Sequence, residues 1–289
     1  MTPRTVRFLA LVAVLAATRA PGDQAPSVQV MVDEVDDKRT TGTFFAECDV
    51  KLKVMGDDVA SALGIRAVRV VAAADDTGRD LKSDKEQGDM FFEANRDKKA
   101  VLQTTVKLAN PARNAKTIRT LRGEVELFHP TAENGGIVTA RDFLAKPGVP
   151  IAAPGLMAAK ISLMYVTKDV LEAKKQELQK QAGDAAKDKV GDEFAEALSH
   201  LVSGMFGMFS TPGPTLQFLV VDPDKRMVDL AFVNRAGNPL KTSGHTFMGE
   251  LRSYTFQEQP PPDTQLVVYV ATARSTSVAR FSLTDVPLP

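Results

Sequence analysis

Along most of the chain, apolar and polar residues alternate with a period of two, which is typical of strands that bury one face. The clearest example is the stretch from Ala46 to Val54, in which charged residues separate the apolar ones. Strands of this kind, divided by turns, fit antiparallel sheets that pack face to face. The same alternation predicts further strands within Val28 to Val32, Val68 to Ala72, Leu102 to Leu108, Leu121 to Leu127, Ile161 to Tyr165, Leu216 to Val220, Val228 to Phe232, Tyr254 to Phe256, Leu266 to Val270 and Phe281 to Leu283.

The segment 146–155 interrupts this pattern, because proline and glycine occupy half of its positions. Proline and glycine at this density disfavour both strands and helices. We therefore predict a domain boundary here, between a first domain at 26–146 and a second at 156–289. The predicted fold class is mostly β, with two antiparallel immunoglobulin-like β-sandwiches.

Residues 167–210 lose the alternation and are rich in alanine, lysine, glutamate and glutamine, which favour helices. Thr167 is a predicted N-cap, so we expect a helical insertion in the second domain. The end of the insertion carries an apolar patch suited to contact a partner protein or a lipid surface. The alternative is that the patch packs against its own sandwich. We call these residues the insertion patch: Leu201, Met205, Phe206, Met208 and Phe209.

Two turn motifs give more local predictions. The segment 222–225 (Asp-Pro-Asp-Lys) predicts a tight turn that pairs the strands on either side of it as a hairpin. In addition, 70–81 and 228–240 share one pattern: a strand, a polar turn with glycine, and a leucine three residues after the glycine. Two related domains would produce this echo, and so would a turn that recurs in unrelated sheets.

The first 22 residues predict an export signal. Arg4 and Arg7 precede an apolar run at 8–17, and small residues follow, which favours cleavage after Gly22. The run is too short to span a bilayer, because a membrane helix needs about 20 apolar residues. We expect an exported protein, periplasmic or extracellular, with no transmembrane segment in the mature chain.

The overall composition excludes several classes of partner. The chain has 36 basic and 36 acidic residues, so it lacks the excess of positive charge that is typical of proteins that bind nucleic acid. Cys48 is the single cysteine, which rules out a disulfide within the chain. Because the thiol shares the apolar side of its predicted strand, we expect it to be buried and unreactive.

The search for catalytic residues yields one weak candidate. The chain has no Gly-x-Ser-x-Gly or Ser-x-x-Lys motif, and we interpret His129 and His200 as loop and helix-flank residues. His245 has hydroxyl residues beside it and Glu250 five positions later, but a polar loop is the simpler interpretation. No phosphate-binding glycine loop is present, and we expect no cofactor.

Metal binding is not expected either. No two histidines have the spacing of zinc ligands. Acidic residues cluster in 33–37, 75–80 and 222–229, and such loops bind calcium in some exported sandwiches. None of them matches the EF-hand loop, and aspartate is favoured in solvated turns. We therefore predict turns rather than metal sites.

The repeated strand-and-turn pattern, the stretch 266–271 and the terminal stretch 281–289 resemble exported, uncharacterised β-sandwich proteins of environmental bacteria, which are broadly immunoglobulin-like. The resemblance implies a fold and a compartment, without an activity. We expect a non-catalytic binding or structural module of the periplasm or cell surface, with an unknown protein or surface as its partner. The alternatives are a hydrolase that uses scattered residues such as His245 and Glu250, and partner or membrane contact through the insertion patch.

Overall fold

The computed structural model describes residues 28–39, 46–83, 94–95, 97–173 and 213–289. The predicted leader and the insertion patch, as well as His200, lie outside the described residues. Within these ranges the protein is mostly β, as predicted, and every pairing between its strands is antiparallel.

Each alternating segment overlaps a strand of the structure, and two strands as well as the short helices are additional. The alternation did not reveal β6 and β10, because β6 is very short and β10 is rich in polar residues and contains a glycine. The elements are β1 (Gln29–Lys38), β2 (Glu47–Met55), α1 (Asp57–Ser61), β3 (Gly64–Asp75), β4 (Val101–Leu108), β5 (Thr117–Phe128), β6 (Ile137–Ala140), a 3-10 turn (Phe143–Ala145), α2 (Pro154–Ala158), β7 (Ser162–Val166), β8 (Thr215–Val221), β9 (Met227–Val233), β10 (Thr242–Met248), β11 (Leu251–Phe256), β12 (Gln265–Val270) and β13 (Thr276–Pro287).

These strands form four sheets, and two hydrophobic clusters hold the sheets together in pairs. The first sheet pair consists of β1-β2-β4 and β13-β5-β3, whose inner faces share one buried cluster. The second sheet pair consists of β10-β11-β8-β7 and β6-β12-β9, whose inner faces share another. Burial of apolar side chains between two sheets is the main stabilising contribution in such an arrangement.

The two sheet pairs have the same order of strands. In the first, β1-β2-β4 faces β3-β5-β13, and in the second, β7-β8-β11 faces β9-β12-β6. The strand β10 is an addition at the edge of the second pair. When the strands of each half are numbered along the chain without β10, the first, second and fourth form one sheet in both pairs. The third and fifth form the other sheet, together with one strand from the other half of the chain.

That remaining strand is exchanged between the two halves. After β5 ends at Phe128, the chain runs through 129–136 into β6, which pairs with β12 in the second sheet pair. After β12 ends at Val270, the chain runs through 271–275 into β13, which pairs with β5 in the first sheet pair. Each half of the chain thus supplies the closing strand of the other sheet pair.

The two crossing segments, 129–136 and 271–275, are hydrogen-bonded to each other. The His129 amide donates to the Ser275 carbonyl over 2.7 Å. The Thr272 hydroxyl donates to the Asn134 carbonyl over 2.9 Å. Main-chain groups in a crossing would otherwise lack partners, so these bonds fix the place where the strands exchange.

The exchange divides the chain differently from the predicted ranges 26–146 and 156–289. The first range contains β6, which pairs in the second sheet pair, and the second contains β13, which pairs in the first. Proline and glycine mark where strands end, but they do not indicate which sheet the next strand joins.

The hairpin predicted around 222–225 is wrong, although the turn itself is present. The Lys225 amide donates to the Asp222 carbonyl over 3.1 Å. However, β8 pairs with β7 and β11, whereas β9 pairs with β12 in the facing sheet. The turn carries the chain from one sheet to the other, because a reversal of direction does not by itself decide which strand is the hydrogen-bonding partner.

The echo noted in the sequence corresponds to two matching loops, which follow β3 and β9. The side-chain oxygen of Asp75 accepts the amides two and four positions later, both over 2.9 Å. That of Asn234 accepts the corresponding amides over 3.0 and 2.9 Å. Gly78 and Gly237 occupy the same place with φ of 88° and 85°, a conformation that disfavours a side chain.

The leucine that ends each motif also has the same role in both loops. The Leu81 amide donates to the Ala73 carbonyl over 2.9 Å, and the Leu240 amide donates to the Phe232 carbonyl over 2.8 Å. Ala73 and Phe232 lie two positions before Asp75 and Asn234 on equivalent strands. Matching loops at matching places in a shared strand order favour two related halves over a coincidental turn.

The start of the insertion packs on the second sheet pair. Residues 168–173 are helical, and the Thr167 hydroxyl accepts the Val170 amide over 3.4 Å, so the predicted N-cap is confirmed. Leu171 is buried against Met164 and Leu219 on the outer face of the sheet. This part of the helix therefore packs on its own sheet, and the remainder of the predicted insertion lies outside the described residues.

The matching loops allow a paired test of stability. Asp75 is fully buried, and its second oxygen also accepts the Ala112 amide over 2.8 Å. We expect Asp75→Ala to lower the free energy of unfolding by about 2 kcal/mol at about pH 7, because buried donors lose a charged acceptor. Asn234→Ala, in the more exposed loop, should cost less than about 1 kcal/mol. Urea denaturation of the three proteins measures both.

The acid dependence of the same variants is a second readout. Burial raises the pKa of Asp75, but the hydrogen bonds from Ala112, Thr77 and Arg79 outweigh it and lower the pKa overall. The stabilisation is therefore present above the ordinary aspartate pKa and is lost as the pH falls through the folded-state value. The difference between wild type and Asp75→Ala should shrink in acid; a constant difference would contradict this assignment.

Candidate functional site

His245 and Glu250, the catalytic candidates from the sequence, occupy separate parts of one hairpin. His245 lies in β10, opposite Tyr254 of β11. Its ring stacks near those of Phe247 and Tyr254, with centroid distances of 5.1 and 6.4 Å. Glu250 lies in the turn that joins the two strands, and its carbonyl accepts the Val220 amide over 2.8 Å. The strand register therefore pairs His245 with an aromatic residue rather than with the acid.

The side chains around Tyr254 form a polar and aromatic cluster between the two sheets of the second pair. The Tyr254 hydroxyl donates to Asp229 Oδ1 over 3.5 Å, and the Leu230 amide donates to the same oxygen over 2.7 Å. The Arg252 guanidinium lies 4.7 Å from the centre of the Phe247 ring. These contacts hold the β10–β11 hairpin against β9, so we assign the cluster a structural role.

Burial determines the protonation of this cluster. It raises the pKa of Asp229, although the Leu230 amide and the charges of Arg252 and His245 act in the opposite direction. It also raises the pKa of Tyr254, with a further contribution from the Asp229 carboxylate. Burial disfavours the charged form of both groups, so Tyr254 remains a neutral donor.

The position of Asp229 predicts a pH-dependent stability. Because its folded-state pKa lies above the ordinary value, its contribution is fully present below about pH 4 and is lost as the pH rises through the folded-state pKa. As the pH rises through the folded-state pKa of Asp229, we expect Asp229→Asn, which keeps Oδ1, to become more stable relative to wild type. Urea denaturation at a series of pH values measures the difference. Parallel pH profiles would show that Asp229 is not desolvated, and Asp75→Ala serves as the control with the opposite sign.

A concave groove with a volume of about 680 Å³ lies beside β6 in the second sheet pair. We call it the β6 groove. The edge strand β6 forms one wall, and the proline-containing segment 149–154 forms the other. The buried Phe143 and Gln265 of β12 also line the groove.

The wall formed by β6 is an open sheet edge. β6 pairs with β12 on one side and ends the sheet on the other. The Val270 amide donates to the Gly136 carbonyl, while the Ile137 amide donates away from the sheet, to Thr131. Because successive residues of an antiparallel strand direct their main-chain groups to opposite sides, the amide and carbonyl of Thr139 also face away from β12.

The opposite wall belongs to the facing sheet. The Gly148 amide donates to the Tyr165 carbonyl and the Ile151 amide to the Leu163 carbonyl, each over 2.8 Å, so this segment lies alongside β7. The groove is therefore the gap between the edges of the two packed sheets.

At one end of the groove, α2 packs closely on β6. A Cβ atom at Gly155 would lie 2.5 Å from the Val138 side chain, so glycine permits this approach. The helix thus fixes the spacing of the two walls.

The rim of the groove carries both signs of charge with an excess of cations. Arg141 and Lys146 are exposed, and neither forms an ion pair with another residue that the structure describes. Asp142, which lies between them, has a φ of 56° and turns the chain out of β6. The exposed side chains of Arg141 and Lys146 are thus available to an anionic group.

The sequence signals for this groove were present but had another interpretation. The proline- and glycine-rich segment 146–155 predicts a boundary, whereas its residues 149–154 form one wall of the groove. The strand β6 has only the run Ile137 to Ala140, which is too short for a clear alternation. A sheet edge depends on which strand pairs beside it, so no local pattern could have identified it.

Cys48 is buried, as the alternation predicted. Its side chain is inaccessible to solvent and packs in the core of the first sheet pair. Burial, together with the carboxylates of Asp37 and Asp49, raises the pKa of the thiol to about 12. The thiol therefore remains protonated and is a poor nucleophile.

The remaining candidates also have local structural contacts. His129 Nε2 lies 3.0 Å from the Ser277 hydroxyl, next to the crossing of the two segments. The Asp222 carboxylate accepts the Arg226 and Met227 amides over 3.0 and 2.6 Å, and thus stabilises its turn. Among the residues that the structure describes, no three histidine, cysteine, aspartate or glutamate side chains are grouped as metal ligands.

In the described ranges, no helix combines the length and the hydrophobicity needed to cross a membrane. Comparisons of the chain with protein-family models, with curated proteins and with solved structures give no significant match.

Proposed function

We propose that this protein is an exported, non-catalytic binding module built from two immunoglobulin-like β-sandwiches. The β6 groove is its binding surface, and this groove is the observation that carries the proposal. Ligand sites are typically concave, with apolar walls and a few polar groups that set the orientation of the ligand. The groove has this character: Phe143 and Val149 supply apolar surface, and Arg141 with Lys146 supplies charge.

The composition of the groove favours binding over catalysis. General acid–base or nucleophilic chemistry needs a base placed beside a nucleophile. The lining instead combines main-chain groups with aliphatic and proline side chains, and its ionisable residues lie at the rim. These groups can hold an extended ligand by shape and hydrogen bonds.

The link between the two sheet pairs supports a binding or scaffold function as well. Because β6 and β13 each close the sheet pair of the other half, neither pair can be completed by its own half of the chain. A groove that is built on an exchanged strand is therefore held in place by both sheet pairs. The shared strand order and the matching loops support two sandwiches of one type.

The binding proposal can be tested with two matched valine variants. Val149 is 50% exposed in the groove, and Val278 is 58% exposed on β13, away from it. Peptides are first selected from a displayed random library on the purified wild-type protein. We expect Val149→Glu to weaken the binding of the selected peptides at least about tenfold, which corresponds to a loss of about 1.4 kcal/mol in binding free energy. Val278→Glu should leave their affinity unchanged.

Two results would contradict the proposal. If no peptide is enriched above a resin control, the groove does not bind peptides. If the two valine variants weaken binding equally, the ligands bind elsewhere. Circular dichroism and urea denaturation of both variants show whether each is folded before its affinity is compared.

The export part of the proposal has its own test. Residues 1–30 are fused to a reporter enzyme that becomes active only after its disulfides form outside the bacterial cytoplasm. We expect activity from the fusion, a loss of activity with Leu11→Glu in the apolar run, and full activity with Leu11→Val. An inactive wild-type fusion that is stably produced would contradict export.

A further inference from the structure

We propose that the β6 groove binds an extended peptide segment of a partner protein, which adds to β6 as a further strand and carries alternating apolar and acidic side chains. The proposal rests on the binding function proposed above and specifies its ligand. Strand addition to an exposed sheet edge is a general mode of peptide recognition, in which main-chain bonds provide the affinity.

The first step of the argument is the free main chain of β6. Thr139 is exposed, and its amide and carbonyl face the groove. Neither group has a hydrogen-bond partner among the described residues. An open edge of this kind is usually blocked by charge, proline or a covering loop. Here the segment 149–154, which lines the other side of the groove, lies alongside β7 instead.

The second step is the geometry of an added strand. A strand beside β6 would lie about 4.8 Å from it, and its side chains would point alternately to the two faces of the sheet. One set would face the interior of the groove, towards Phe143 and Ala153, which are both buried and apolar. The other set would point outwards. This requires small apolar residues at every second position.

The third step is charge. Arg141 and Lys146 lie at the rim and have no ion-pair partner within the described ranges, while Asp142 is the single acid in the lining. The outward-facing residues of a bound strand would lie near these two cations. Acidic residues at those positions are complementary, whereas lysines would be repelled.

The closing strand of the first sheet pair provides a matched control. Leu121 pairs with Ala73 and Leu283, just as Leu266 pairs with Phe232 and Ala140. The next residue along each central strand then pairs with Ser282 and Thr139, respectively. Ser282 is also exposed at a sheet edge, so these two residues are equivalent.

The main-chain direction at the control position is the same. The His129 amide donates to the Ser275 carbonyl. The odd-numbered residues of β13 up to Leu283 therefore direct their main-chain amides and carbonyls towards β5. The Ser282 amide therefore points outwards, like that of Thr139. Proline at either position removes an outward donor without removing a bond of the existing sheet.

The experiment measures binding of a labelled peptide of alternating valine and glutamate by fluorescence anisotropy. We expect Thr139→Pro to weaken binding at least about tenfold and Ser282→Pro to leave it unchanged. The double variant Arg141→Glu/Lys146→Glu should weaken binding and reverse the preference, so that a valine–lysine peptide then binds more tightly than the glutamate peptide.

A second measurement keeps the proposal testable if Thr139→Pro fails to fold. In the wild-type protein, bound peptide should slow hydrogen exchange of the Thr139 amide, detected by NMR, and leave the Ser282 amide unaffected. Two further peptides carry N-methyl groups on every second amide, one on the odd residues and one on the even residues. Only one of these two peptides should lose the ability to protect the Thr139 amide.

The outcomes separate this proposal from the one on which it rests. If library-selected peptides are sensitive to Val149→Glu but not to Thr139→Pro, and the Thr139 amide is unprotected, the groove binds ligands without strand addition and this inference is wrong. If the lysine peptide binds wild type as tightly as the glutamate peptide, the assigned charge preference is wrong. If Val149→Glu has no effect on any peptide, the proposed function itself fails.

Discussion

The exchange of closing strands is the constraint on which the rest of this structure depends. Val138 and Ala140 of β6 are buried in the second core, and Phe281 and Val286 of β13 are buried in the first. Each core is thus completed by residues from the other half of the chain. Removal of one strand would expose the apolar faces of both sheets around it, so the stability of each sheet pair depends on the crossing.

The candidate site is a consequence of the same exchange. Because β6 arrives from the first half, the chain must return from its end at Ala140 to the start of β7, in the facing sheet. That return supplies Arg141, the buried Phe143 and the proline-containing wall. The β6 groove is therefore the space left between an exchanged strand and its return path.

The sequence predicted local features well and partners poorly. Alternation identified the strands around Cys48 and placed the thiol in the core, because a period of two is a property of a few consecutive residues. The turn at 222–225 was also predicted, but its hairpin was not formed, since β9 pairs in the facing sheet. The sequence predicts a polar loop at His245, whereas the residue lies in β10 against aromatic rings. The groove could not be predicted, since its two walls belong to different sheets and no local pattern shows which strands pair.

By itself, the sequence determined which residues face a core, where the chain turns and that two loops share one design. Those features depend on side-chain type and on hydrogen bonds within a few residues, as at Asp75 and Asn234. Tertiary structure alone decided that β6 and β13 each join the sheet pair of the other half. It also decided that the open edge of β6 lies beside the cations Arg141 and Lys146. Any apolar strand face can pack on several sheets, so the choice of partner is set by the burial of the whole core rather than by a local pattern.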